Sequence, residues 1–419
     1  MIMGISYKTY KEKYHFSLNL YSIFLIVTFI PDIVGINNSI IKYLFWVVRL
    51  SLALWIIYKD YRSAFRLSLF EFLFVILALI YTTNLFIDVF LDPIPALKNS
   101  GFTDFIGFFI GIILALSFRY DSAFHSETSF KFFWVTLTFG LIVAYFLAIE
   151  NTHLDVSNVR YDANSTINTI MYGQTGCALS LISLFGFIHY KKATLKILFA
   201  LTFVVGLLSI AKAGSRSPVV VLALVSIFYM IARLGKVKGL LILSVFVGLV
   251  LINIKAIIGL LSSMGSSLAV RLTSMIQDKE TSGRDVIYAN ALSIIEESPI
   301  FGSYYLIPSG IGAGGYPHNY FLEVFMTTGA LGGVIFLALV IYSLFKSYNL
   351  IRAQHFSSWI VILYLQILVY GMFSTGLYTS QDFWILLFYT GSLKVSSSLS
   401  TNTLPQNNRL PGRMRVLAK

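Results

Sequence analysis

The chain has 419 residues, 57% of them hydrophobic and only 12% charged, with a formal net charge of +12. A soluble protein carries about a quarter charged residues, so a set of two or three water-exposed domains is excluded in favour of one membrane-embedded bundle. A single cysteine, Cys177, excludes an intramolecular disulfide, and the placement of the basic residues argues for membrane topology rather than nucleic-acid binding.

In chain order, hydropathy predicts twelve spans, at 17–36, 40–58, 68–90, 102–118, 132–149, 168–189, 195–211, 218–232, 239–258, 318–345, 358–377 and 381–396. Each approaches the ~20 residues that carry a helix across the hydrocarbon. The first, Ser17 to Ile36, follows a basic start and is too long for a signal-peptide core. With no small-residue cleavage site after it, it reads as a retained helix. Basic residues gather at the N-terminus (Lys8, Lys11, Lys13) and in every second loop, for example Lys59, Arg62 and Arg66, or Lys191, Lys192 and Lys196. They also fill the C-terminus, from Lys394 to Lys419. This positive-inside pattern predicts both termini in the cytoplasm. Residues 1–396 therefore read as one polytopic domain. Residues 397–419, basic and rich in Ser, Asn and Pro, read as a disordered cytoplasmic tail.

Two external loops are long. Residues 150–167 are polar, and 259–317 form the longest connection. Within the latter, Arg284 to Glu297 places Val286, Ile287, Ala291, Leu292, Ile294 and Ile295 at helical spacing, which predicts a short amphipathic helix lying along the outer surface. A glycine-rich segment follows Pro299.

The informative charges are cations on the wrong side: Arg160, Lys212, Arg216, Lys255, Arg271, Lys279 and Arg284. Lys255 and Lys279 read as residues that snorkel to lipid phosphates. Arg216 is different, because it lies in a Gly214-Ser215-Arg216-Ser217-Pro218 turn that opens a helix. Free N–H groups and an added guanidinium make such a turn an anion site. At the mouth of the tenth span stands Pro317-His318-Asn319, with Glu323 five residues beyond His318. An acidic residue in a span is costly and points to function, or to an arginine partner. Gly329 and Gly332 read as small residues for close helix packing. The spans carry few charges, and Arg49 and Glu71 are the main exceptions.

Together these features resemble the bacterial O-antigen polymerase and O-antigen ligase superfamily. The resemblance rests on the Ser215-Arg216-Ser217 turn and on Gly283-Arg284 running to Glu297-Ser298-Pro299-Ile300-Phe301-Gly302. It rests also on His318-Asn319 followed by Gly329-Ala330-Leu331-Gly332. It is close over 200–335 and departs where Tyr304-Tyr305 stands in place of a glycine. The resemblance implies an all-α, GT-C-like membrane glycosyltransferase, multi-pass in a bacterial inner membrane with its active face periplasmic. Such enzymes take a glycan from undecaprenyl pyrophosphate and pass it to another lipid-linked repeat unit or to lipid A core. A chain-length regulator is an implied partner, together with membrane lipids and no nucleic acid.

On that reading Arg216 and Arg284 stabilise the departing pyrophosphate, with Lys212, Arg160 and Arg271 as further substrate contacts. His318 serves as general base for the acceptor hydroxyl or hydrogen-bonds the pyrophosphate. Ser215, Ser217, Asn319 and Glu323 line or orient the site. No Asp-x-Asp is present and the external carboxylates are scattered, so no metal or other cofactor is expected. A flippase is the rival from another class. It predicts ionisable groups at mid-membrane rather than at one external face.

Overall fold

The computed structural model describes residues 67–94, 101–118, 126–151, 160–163, 167–263, 266–277 and 284–393, with parts of 47–58. The expected span at 17–36, most of that at 40–58, the tail 397–419, and Arg49, Lys279 and Gly283 lie outside the described residues.

The described chain is helical almost throughout. Its helices are α1 (Leu69–Phe86), α2 (Gly101–Ser117), α3 (Glu127–Leu147), α4 (Thr169–His189), α5 (Ala193–Ala213) and α6 (Ser217–Leu234). They continue with α7 (Lys236–Ile252), α8 (Ile254–Ser263), α9 (Ser267–Gln277), α10 (Arg284–Glu297), α11 (Tyr320–Arg352), α12 (Ser358–Tyr370) and α13 (Gln381–Ser392). Six described segments are long and apolar enough to cross a membrane: Leu69–Leu91, α3, α4, α5, α6 and α11. The fold is that of an all-α membrane protein.

Local chemistry explains the helix ends. Ser68 caps α1 in a reciprocal box, its Oγ accepting from the Glu71 N–H while the Glu71 carboxylate accepts from the Ser68 N–H at 2.7 Å. Glu71, an acid within an apolar span, is thus a cap. The tightest packing joins α4 to α5, where small residues let the backbones meet. A Cβ on Gly176 would lie 2.8 Å from the Gly206 carbonyl oxygen, and one on Gly186 would strike the Phe199 ring. Trp134 of α3 donates to Thr202 of α5 at 3.0 Å, and Thr202 meets Ser183 of α4 at 2.8 Å.

Four features of the bundle differ from the sequence expectation. The 150–167 loop carries a two-stranded hairpin, β1 (Ile149–Asn151) against β2 (Arg160–Asp162), with Glu150 opposite Tyr161. The expected span 239–258 is two helices, α7 and α8.

The expected span 358–377 ends at Tyr370, where Gly371 and Phe373 close turns onto Ile367 and Tyr370. A ten-position connection, 371–380, therefore precedes α13. Its apolar residues, such as Leu377 and Tyr378, prolong the hydropathy signal past the helix end because they are buried in protein.

Gly329 is more than a packing glycine. It adopts φ 60 and ψ −160, a conformation open only to glycine, and breaks α11. Unbroken, the 33 residues of α11 would make about 50 Å of helix, far more than a ~30 Å hydrocarbon core needs. The segment after the break, roughly 35 Å long, suffices by itself.

The Pro299–Gly302 step docks into this break. Ala330 N–H donates to the Pro299 carbonyl at 2.7 Å, Leu331 N–H to Ile300, and Ser303 N–H to Met326. Asn84 of α1 seals the junction, donating to the carbonyls of Thr327 at 2.6 Å and Phe301 at 3.2 Å.

Candidate active site

The Ser-Arg-Ser turn forms because Gly214 caps α5 in the left-handed region, at φ 67. Its N–H donates to the carbonyls of Ile210 and Ala211, and α6 then starts at once with Pro218 in its first turn. Gly173 of α4 leaves the room Pro218 needs, since a Cβ there would lie 2.8 Å from the Pro218 Cγ. Arg216 sits at the N-cap of α6 and is half-buried. Ser215 is buried, with its Oγ 3.4 Å from the Ser217 Oγ.

Three arginines meet at this turn. Arg216 reaches the Arg271 carbonyl at 3.5 Å, and Arg271 in turn reaches the Gly214 carbonyl at 3.3 Å. The crossed pair ties α9 to the turn, as does Ser266 Oγ donating to the Ala211 carbonyl. Arg160 arrives on β2. Burial lowers its guanidinium pKa, the nearby Arg216 charge lowers it further, and Asp162 pulls the other way. The Arg160 Nε is buried and makes no hydrogen bond among the described residues. Like charges gathered this closely favour an anion.

Lys212 is engaged differently. Its Nζ donates to the Tyr145 carbonyl and lies over two rings, 4.6 Å from the Tyr145 centroid and 5.2 Å from that of Tyr161. Its contacts describe an anchor between α3, α5 and β2.

The second group is His318 with Arg284. His318 has φ 56, in the left-handed region, and its ring meets that of Tyr316 edge-on at 4.5 Å. Its Nδ1 is buried and makes no hydrogen bond among the described residues. Burial lowers the imidazole pKa, and the Arg284 charge lowers it further, so both favour the neutral ring. Asn319 caps α11, its Oδ1 accepting from the N–H groups of Phe321 at 2.9 Å and Leu322 at 3.3 Å.

Glu323 is fully buried and accepts from neutral donors among the described residues: the Tyr81 hydroxyl at 2.8 Å, the Leu377 N–H at 2.7 Å and the Tyr378 N–H at 3.0 Å. It holds α1 and the 371–380 connection to the head of α11. Its contacts are those of a positioning group set behind the site.

That connection is the part sequence reasoning missed, and it joins the two groups. Ser374 Oγ donates to Ser217 Oγ at 3.2 Å, beside Arg216. Gly376 lies against Tyr316, which touches His318. Tyr288 of α10 reaches the Met372 carbonyl at 3.4 Å, and the Tyr320 N–H donates to Gly371 at 2.9 Å. The only signal for it in the sequence was the run of small and hydroxyl residues at 374–376 and 379–380. From the π-helical turn Ile87–Leu91 that continues α1, Asp88 accepts the Tyr305 N–H at 2.8 Å, and the Tyr305 hydroxyl donates to Asp104 at 3.3 Å. The Tyr304-Tyr305 departure is therefore a tether to α1 and α2.

Residues 201–337 match the family model described as O-antigen ligase. The match runs from within α5 to within α11 and includes Lys212, Arg216, Arg271, Arg284, His318 and Glu323. Arg160 and the 371–380 connection lie beyond it. No curated protein matches the chain.

Proposed function

We propose, for a chain that belongs through residues 201–337 to the O-antigen polymerase and ligase superfamily, that it polymerises a polysaccharide. It takes the glycan from an undecaprenyl-pyrophosphate donor and passes it to a sugar hydroxyl of another lipid-linked repeat unit on the outer face of the inner membrane. The observation that carries this reading is the convergence of Arg160, Arg216 and Arg271 on one helix-opening turn, linked through 371–380 to His318 beside Arg284.

In the transfer, the acceptor oxygen bonds to the anomeric carbon and the bond from that carbon to the pyrophosphate oxygen breaks. Negative charge grows on the lipid pyrophosphate, where guanidiniums already in place stabilise the transition state more than the ground state. These arginines supply that charge without a metal ion. The acceptor hydroxyl gives its proton to His318, whose neutral form is favoured because burial and Arg284 disfavour its cation. Both termini lie in the cytoplasm on this reading, which sets the arginines outside.

Ligation to lipid A core is the second reading, favoured by the description of the matching family model. A deletion strain examined by lipopolysaccharide gel separates the two. Loss of a polymerase leaves core bearing one repeat, and loss of a ligase leaves bare core. Transfer is tested with purified protein and lipid-linked oligosaccharide: longer or transferred glycan supports the enzyme, and flipping without any new glycosidic bond sinks it.

A further inference from the structure

A base histidine is commonly oriented by a hydrogen bond to its second nitrogen. Here Nδ1 is the buried nitrogen, and no described residue bonds to it. The backbone of His318 is left-handed, a conformation a β-substituted residue holds only when its surroundings enforce it.

What meets the ring is Tyr316, edge-on at 4.5 Å with the planes at 66°. Tyr316 is itself wedged. A Cβ on Gly376 would stand 3.0 Å from both its Cγ and Cδ1, and the Tyr378 ring lies across it at 6.1 Å and 70°. The backbone at 377 and 378 is in turn fixed by the fully buried Glu323 carboxylate. A continuous line of contact runs from Glu323 through 376–378 to Tyr316 and ends on the imidazole.

We propose that Tyr316 is the positioning residue for His318: its ring, held in place by Gly376 and Tyr378, fixes the imidazole where a hydrogen bond to Nδ1 commonly would. The inference rests on the reading of His318 as the base. Aromatic rings at this distance and tilt attract one another, and a ring contact restrains orientation without making the nitrogen more basic. The charged and titratable groups around this line of contact are Arg284 beside the imidazole, Tyr316 with Tyr370 near it, Tyr378 with Tyr305 and Asp104, and Glu323 with Tyr81.

The experiment uses the full chain in proteoliposomes with undecaprenyl-pyrophosphate-linked oligosaccharide extracted from the source cells, measuring kcat and KM across pH. Y316A lowers kcat by about tenfold or more with donor KM within about twofold. It also moves the acid limb of kcat to higher pH, because water then reaches an imidazole that burial had kept neutral. Y316F recovers most of that loss, and G376A, which crowds the Tyr316 ring, reproduces a smaller part of it. Wild-type kcat with an unmoved acid limb in Y316A overturns the proposal. So does a Y316F variant as slow as Y316A, which would assign the role to the hydroxyl instead of the ring. Full activity in H318A overturns the underlying reading of the base, and the Tyr316 variants are judged only against an inactive H318A.

Discussion

The α4–α5 pair and the segments around 371–380 are held together by opposite means. Between α4 and α5 the contact is continuous and made by small residues: Gly176 against Gly206, with Ser180, Ser183 and Thr202 bonding locally beside them. Around 371–380, isolated polar bonds join residues far apart in sequence: Glu323 to Tyr81, Leu377 and Tyr378, Asn84 to Phe301 and Thr327, Asp88 to Tyr305, Ser374 to Ser217. Dispersion spread over many atoms tolerates the loss of any one. A buried polar bond leaves an unsatisfied partner when it is broken, at a cost of about 1–3 kcal/mol. Scaffold and site should therefore fail differently.

The largest expected effect is at the charges. R216A and H318A each lower kcat by about 10²–10³, the usual cost of a missing transition-state donor or base, with the melting temperature hardly changed. A loss of less than about fivefold in both variants would remove the site from this end of the molecule. R284Q comes next. Its removal takes away a charge that opposes protonation of His318, so the imidazole pKa rises and the acid limb of kcat moves to higher pH. A limb that moves to lower pH would contradict the assignment.

Smaller effects separate the two regions. N84A leaves the Thr327 and Phe301 carbonyls short of a donor and destabilises by about 1–3 kcal/mol while also lowering kcat. G206L overpacks α4 against α5 and costs a similar ~1–3 kcal/mol, but the molecules that stay folded keep their specific activity. Thermal unfolding in detergent, paired with activity per folded molecule, checks both. Equal kcat losses in the two variants would erase the distinction. Least affected is K212M, because Lys212 is engaged by the Tyr145 carbonyl and two rings. Its rate should fall by less than about tenfold, and a loss equal to that of R216A would return Lys212 to the pyrophosphate.

Much of this was legible in the chain. Apolar runs gave α3, α4, α5 and α6 to within a few residues, since each faces an apolar surround along most of its length. The Gly214–Pro218 turn was legible because its chemistry is local: a left-handed glycine closes one helix and a proline opens the next. The end of α12 was not. Leu377 and Tyr378 are as apolar as a span, yet their backbone N–H groups bond to a carboxylate 54 and 55 positions away. Hydropathy does not distinguish burial in protein from burial in lipid. Gly329 looked like one more small residue for packing, because only the Pro299–Gly302 step docked against it requires the break.

The sequence by itself determined an apolar helical bundle and the turn that presents Arg216. Those follow from local composition and from residue preferences that act within a few positions. Tertiary structure alone decided which cations lie together. It brought Arg160 from a hairpin to Arg216, tied Lys212 down among aromatic rings, and buried Glu323 behind the site as a clasp. It also ran 371–380 between Ser217 and Tyr316. Such pairings depend on contacts between segments tens to hundreds of residues apart, which no local pattern encodes.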